Sequence, residues 1–398
     1  MNQTKKRILI VMPGPMELGG VERSLLGLLD SIDYAQYEVD LFLYGHHGPL
    51  FCQIPEPVHL LPEVKELAYL RDSLRQKLTH RCFLSAALRL KDAVLQKLGH
   101  PVSFDRTWAT ITHLCTPRLN TQYDLALSFF LPFDYLEEKV DAKVKLGWIH
   151  TDYSSENTDE DMLLEQYSKV DYIIAVSRKC ADTFAQRLPQ LQSRIRVIEN
   201  ILPEKLIRQQ AEAFSADAEM PRKGIRLLSV GRYCTAKNFD NVPDICARLV
   251  QSGLDVYWYI IGFGSDEALI RQKIREFHME DRVILLGKKE NPYPYIRACD
   301  LYVQPSRYEG KCVTVREAQM LGKPVVITRY ATSASQLEEN VDGIIVPMDN
   351  EGCAAGIARL LKEKTVMAAI AANCAQRDYS NRAEVSKVFH LLKGAENG

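Results

Sequence analysis

An α/β protein built on two doubly wound parallel sheets is predicted by three observations. Short apolar, β-rich runs alternate with longer helical patterns from one end of the chain to the other. Those runs fall into two separate series, one before residue 200 and one after residue 224. At 398 residues the chain is also too long for one ordinary core.

The first series opens with RILIVM, whose apolar run from Ile8 to Met12 stops at Pro13. That is too short for a signal sequence or a membrane span, so it reads as a buried strand. YEVDLFLY, YDLALSFF, VKLGWIH and YIIAVS continue the series, IRVIEN follows, and Ile201-Leu202-Pro203 interrupts it. The second series is IRLLSVG, VYWYIIG, RVILLG, LYVQPS, PVVIT and GIIVP. The polar, turn-rich stretch near 200–222 joins the two. We therefore expect one domain over 1–202, a second over 203–379, and a terminal amphipathic helix, about 380–398, that can pack back on the first.

The segment 65–106 departs from the alternation. Its leucines recur at helical spacing, and it carries nine basic residues, Arg71, Arg75 and Arg81 among them, against four acidic ones. A pair of solvated peripheral helices is the plain reading. The other is a basic face for an anionic membrane surface.

Composition excludes several classes. Fifty basic and 51 acidic residues leave a net charge of −1, so no global field points to nucleic acid. Ten scattered cysteines, with no metal-ligand spacing, fit reduced thiols in a cytoplasmic protein without structural zinc.

Doubly wound sheets bind ligands at the carboxyl ends of their strands, so the residues just after each strand of the second series matter most. SVGRYCTAKNFD places Gly231, Arg232 and Lys237 there. Gly262 and Gly264 follow VYWYII, Gly287, Lys288 and Lys289 follow RVILL, and RYEGKCVTVRE, Arg307 to Glu317, follows LYVQP. One rim would then hold fixed cations, glycines that admit a ligand to the backbone, and two carboxylates. That set suits a nucleotide diphosphate bearing a further group. Arg232 offers phosphate a bidentate fork and Lys237 a mobile point charge, offsetting the charge that grows as a diphosphate leaves. Lys311, Cys312, Val313 and Thr314 run into a helix whose free amides and dipole favour the same phosphate. Glu317, in or just after the first turn, is expected at the ribose hydroxyls, and Glu309 near the group attached to the phosphates. Each feature alone has a plainer reading, as a turn, a solvated lysine or acids at a helix start. Their joint order and spacing carry the inference.

With Gly-Gly-Val-Glu at 19–22, His150 after WI, GR-x-x-x-x-K, Glu309 and Glu317 as E-x₇-E, and the later LGKPVV and NVDGIIVP, the chain resembles the retaining glycosyltransferases of family 4. The resemblance runs over nearly the whole chain and is strongest from 225 to 348. It implies the GT-B fold, two Rossmann-like domains facing a central cleft, with the nucleotide sugar on the C-terminal domain and the acceptor on the N-terminal one. It assigns Arg232 and Lys237 to the diphosphate, Glu317 to the ribose, Glu309 to the donor sugar, Gly19 and Gly20 to the cleft floor, and His150 to a place beside the transferred sugar. His150, Glu309, Arg232 and Lys237 then form the catalytic set. Gly262, Lys288 and residues 311–314 complete the donor side, and Glu22, Arg23 and Asp152 are acceptor-side candidates. The chain departs from the family at 311–314, where Lys-Cys-Val-Thr stands in place of a Phe-Gly-Leu-Val pattern, a change that contacts through backbone amides tolerate.

The expected function is therefore retaining, metal-independent transfer of a hexose from a nucleotide diphosphate sugar, UDP-sugar favoured, to a hydroxyl of a glycan or lipid-linked acceptor in cell-surface polysaccharide synthesis. The protein would be cytoplasmic, and peripheral on the inner face of the plasma membrane if 65–106 docks there. No cofactor is expected. The rivals are a GT-B epimerase or phosphorylase and a non-catalytic nucleotide-sugar binder. A nicotinamide-dependent dehydrogenase is disfavoured, because MPGPMELGGVE stands where G-x-G-x-x-G would. Asp159-Glu160-Asp161 offers a D-x-D pair for a divalent ion, but acids are expected at a helix start in any case.

Overall fold

The computed structural model describes residues 5–70, 72–99, 104–150, 153 and 159–394, with only the backbone for 104–106 and 393–394. Asp152 and Arg71 lie outside these described residues. Contacts divide the chain into two units, Met1–Ile201 with Arg382–Gly398, and Leu202–Asn381. Each is a Rossmann-like domain, a parallel sheet flanked by helices.

Among the described residues the sheet of the first unit has seven strands: β1 Lys6–Met12, β2 Tyr37–Leu43, β3 His59–Leu60, β4 Gln122–Ser128, β5 Asp141–Ile149, β6 Tyr172–Ala175 and β7 Ile195–Val197, in the order β3-β2-β1-β4-β5-β6-β7. Ile8 to Met12 are at most 2% exposed, as a strand covered on both faces requires. Ile8 pairs in register with Val39 on one side and Leu125 on the other. The chain winds outward from β1 in both directions, so the switch point lies between β1 and β4. The helix after β1, Gly20–Ser31, buries Leu25, Leu26, Leu28 and Leu29. The terminal helix Val385–Gly394 belongs to this unit, and its Phe389 ring stacks on Tyr37 at 4.1 Å between centroids.

In this unit the described residues of the basic segment form three helices, Lys65–Ala68, Leu74–Thr79 and Phe83–Lys97, instead of a pair, and a fourth, Phe104–Cys115, begins at its end. Local chemistry cuts it. Ser73 and Gln76 form a reciprocal capping box that starts the second helix. Arg81, at φ 60°, turns the chain before the third.

The second unit's sheet has six strands: β8 Ile225–Val230, β9 Val256–Ile261, β10 Val283–Gly287, β11 Leu301–Gln304, β12 Val325–Thr328 and β13 Ile344–Val346, in the order β10-β9-β8-β11-β12-β13. β8 pairs with β9 on one side and β11 on the other, which puts the switch point between β8 and β11. A buried polar chain fixes these three strands. Trp258 Nε1 donates to Ser229 Oγ at 2.9 Å, and Ser229 Oγ donates to the Val303 carbonyl at 2.5 Å. With every polar atom of that chain partnered, the register of the central strands is specified as well as stabilised.

Candidate active site

The loops after β8 and β11 flank the second unit's switch point, and side chains lock them together. Lys237 Nζ donates to Glu309 Oε1 at 2.6 Å, with the two side chains 18% and 10% exposed. Burial works against the Lys237 charge, but the Glu309 carboxylate outweighs it and holds the ammonium above its ordinary range. The same Glu309 oxygen accepts from Ser306 Oγ at 2.6 Å and faces Gln304 Nε2 at 3.5 Å. Gln304 in turn accepts from the Tyr302 hydroxyl at 2.9 Å. Lys237 is thus a pinned cation in this structure, not the mobile charge expected of a lysine on a turn-rich loop.

A second pair reinforces the first. Arg307 meets Asp240 in a bidentate fork, at 2.9 and 2.7 Å, and donates to the Thr235 carbonyl at 2.7 Å. Asn238, held at φ 60° and buried, donates from Nδ2 to the Pro305 carbonyl at 2.9 Å. Sequence reasoning gave Arg307, Asp240 and Asn238 no role. Their partners lie 67 residues away along the chain or more, so only the strand order brings them together.

Arg232 behaves differently. It is exposed, and among the described residues it makes no hydrogen bond or ion pair, so its guanidinium fork is available at the strand ends. Beside it the backbones of two loops touch. A Cβ at Gly262 would stand 1.9 Å from the Gly231 carbonyl oxygen, so only glycine fits there. Lys237 lies across Gly231, its Cε 3.2 Å from where a Cβ would be. Lys288, also exposed, holds its ammonium 5.2 Å from the centroid of the Phe263 ring.

The helix Val313–Met320 begins after β11, as expected, but its entry is partly occupied. Gln336 binds both backbone groups of Cys312: Oε1 accepts from the amide at 2.8 Å and Nε2 donates to the carbonyl at 3.1 Å. The Cys312 amide is therefore not one of those open to a phosphate. Val313 and Thr314 follow it in the first turn. Burial pushes the Cys312 thiol up to about 11, which keeps it neutral. Lys311 donates to the Ser335 carbonyl at 2.5 Å. Glu317 is fully buried, and its Oε1 accepts from the Tyr293 hydroxyl at 2.9 Å. A ribose contact would require Glu317 to gain surface, and Tyr293 is a neighbour no sequence signal had singled out.

In the first unit, Gly19 caps the helix Gly20–Ser31 with extended backbone, and the Glu22 carboxylate folds back over it, where a Cβ at Gly19 would be 2.1 Å from Oε2. Glu22 so placed complements the helix N-terminus. Arg23 is buried, its amide bonded to the Gly19 carbonyl at 3.2 Å. His150 follows β5 in an aromatic stack, 5.3 Å from Phe129 and 5.6 Å from Phe130 between ring centroids. Burial pushes it down to about 3, so the ring is neutral near pH 7, and its enclosed Nε2 has no hydrogen-bond partner among the described residues. Asp159 caps the helix Glu160–Tyr167 by accepting from the amides of Asp161 and Met162, and Glu160 pairs with Arg187 at 3.1 Å. The Asp159 carboxylate thus serves the helix N-terminus, and that of Glu160 an ion pair. Among the described residues no group of three or more His, Cys, Asp or Glu side chains is placed to hold a metal ion.

Residues 210–377 match the family described as glycosyl transferases group 1. Over 234 residues the chain is 26% identical to an N-acetylgalactosamine-N,N'-diacetylbacillosaminyl-diphospho-undecaprenol 4-alpha-N-acetylgalactosaminyltransferase of Campylobacter jejuni, covering 58% of this chain and 60% of that protein. It is 32% identical over 145 residues to the amylovoran biosynthesis glycosyltransferase AmsK of Erwinia amylovora, covering 34% and 35%. The chain thus spans 60% or less of the length of these relatives. The structure of Anabaena Alr3699/HepE in complex with UDP and glucose is similar in fold, with a TM-score of 0.68, 17% identity, and 97% and 99% of the two chains covered. Residues 210–377, most of the second unit, thus carry the match to the glycosyl transferases group 1 family, and the two parallel-sheet units have the Rossmann-like architecture of the GT-B fold.

Proposed function

We propose that the chain is a retaining, metal-independent glycosyltransferase that moves a hexose from a nucleotide diphosphate sugar to a hydroxyl of a glycan or lipid-linked acceptor in cell-surface polysaccharide synthesis. The observation that carries this reading is the pairing of an unpartnered Arg232 with a Lys237 already oriented by Glu309 at the switch point of the second unit. Arg232 binds diphosphate oxygens through its fork, and Lys237 stabilises the charge that develops as they leave. The bond from the anomeric carbon to the phosphate oxygen breaks, and the acceptor oxygen bonds to the same face of that carbon. The acceptor proton passes to the departing phosphate oxygen, so no strongly basic side chain is needed. Glu309 orients the sugar hydroxyls. A uridine nucleotide is the favoured donor base, supported by the UDP that the similar Anabaena protein binds. Release of UDP from a UDP-sugar, dependent on added acceptor, tests the proposal. No release across UDP-, GDP- and ADP-hexoses with a panel of glycan and polyprenyl acceptors would falsify it.

A further inference from the structure

Of fourteen large apolar side chains exposed among the described residues, eight lie between Leu74 and Leu114. That concentration is not the scatter of single apolar residues a soluble surface normally shows. In the helix Phe83–Lys97, Phe83, Ala87, Leu90, Val94 and the following Leu98 are all exposed, at a spacing that puts them on one face. Phe83 and Leu98 are 63% and 68% exposed.

This is not the face by which the helix packs. Its inner side is already engaged: Ser85 and Ala86 are buried, Glu66 accepts from the amides of Leu84 and Ser85 at 3.1 and 3.0 Å, and Asp92 accepts from Thr107 Oγ1 at 2.6 Å. The apolar stripe points outward from a helix that is fixed by other contacts. Lys91 and Lys97, both exposed, fall on either side of it by helical angle. The preceding helix adds exposed Leu74 and Leu78, with Arg75 and Arg81 exposed as well. Between Ser73 and Gly99 the chain has six basic residues and one acidic one, Asp92. Lys77, one of the six, is buried and binds the carbonyls of Tyr69 and Leu70, so it takes no part in the surface.

We propose that this apolar stripe and its basic borders dock the protein on an anionic lipid bilayer, with Phe83, Leu90, Val94 and Leu98 in the interfacial region and Lys91 and Lys97 at the headgroups. The charge chooses the occupant. A second copy of the chain related by a two-fold axis would bring two such basic surfaces together, whereas anionic headgroups complement them. Among the described residues no helix is long and apolar enough to cross a membrane, so the helix lies along the interface. This differs from docking by charge alone, which the sequence had suggested, and it does not depend on the transfer reaction.

The test is co-sedimentation of the full chain with vesicles of phosphatidylcholine containing phosphatidylglycerol, and with phosphatidylcholine alone. The wild type is expected to bind the anionic vesicles several-fold better, and Phe83→Ser/Leu90→Ser/Val94→Ser to lose about tenfold in binding at low and high salt alike, because apolar burial is not screened. Lys91→Gln/Lys97→Gln is expected to weaken binding at low salt only. These lysines are exposed, so that pair keeps the test open if the serine variant unfolds. Wild type remaining in the supernatant at low salt, or both variants binding like wild type, overturns the proposal. So does a dimer in light scattering that the serine variant dissociates while neither protein binds vesicles.

Discussion

Lys237 Nζ lies 2.6 Å from Glu309 Oε1, an ion pair that ties the loop after β8 to the loop after β11 across the switch point of the second unit. The pair sets the lysine's charge and its direction before any ligand arrives, so little reorganisation is left for the moment of reaction.

One prediction follows from separating the two partners. Glu309→Gln leaves Lys237 a less compensated cation, so UDP should bind at least as tightly as to wild type, while kcat falls roughly 100-fold through loss of an interaction with the reacting sugar. Calorimetry and steady-state kinetics together decide it. A parallel loss of UDP affinity would move Glu309 from the sugar to the nucleotide.

Glu317 and Tyr293 form the second testable pair. If the buried carboxylate reaches the ribose, Glu317→Gln weakens UDP binding by roughly 1–3 kcal/mol, as loss of a charged hydrogen-bonding group does. Tyr293→Phe removes the hydroxyl that holds Oε1 and should shift the affinity by less. Unchanged UDP affinity in Glu317→Gln would show that the ribose is held elsewhere and that this glutamate is structural.

His150 makes a pH prediction with a definite sign. It titrates near 3 in the folded chain and near ~6.5 when unfolded. Between those values the unfolded chain binds a proton that the folded chain does not. Its contribution to stability is complete above about 6.5 and falls as the pH drops toward 3, by up to ~1.4 kcal/mol per pH unit. His150→Phe suits the stack with Phe129 and should lack that part of the acid sensitivity. Identical slopes of unfolding free energy against pH in the two proteins would contradict the neutral histidine.

The proposed reaction also needs no divalent ion. Activity should survive EDTA, given that Asp159 already spends its carboxylate on helix amides. Loss of activity in EDTA that manganese restores would reverse this.

Much of the fold was legible because parallel strands buried on both faces leave contiguous apolar runs. Ile8 to Met12 and Val256 to Ile261 are strands that no other local structure explains as well. β3, only His59–Leu60, leaves too little pattern to detect. The site divides in the same way. Residue types just after strands, such as Arg232 and Lys237, can be listed from topology alone. Contacts such as Arg307 with Asp240, or Gln336 with Cys312, depend on geometry between distant loops. The leucines of 74–98 misled in a different sense. Their spacing announced helices correctly, but periodicity does not say whether an apolar face turns inward, and Leu78, Val94 and Leu98 turn outward.

The central claim is that a nucleotide diphosphate binds at the strand ends of the second unit through Arg232 and Lys237. Calorimetric titration of UDP into wild type, Arg232→Ala and Lys237→Ala tests it most directly. Saturable binding to wild type is expected, with at least a tenfold loss, about 1.4 kcal/mol, in each folded variant. UDP affinity unchanged in both variants would contradict it.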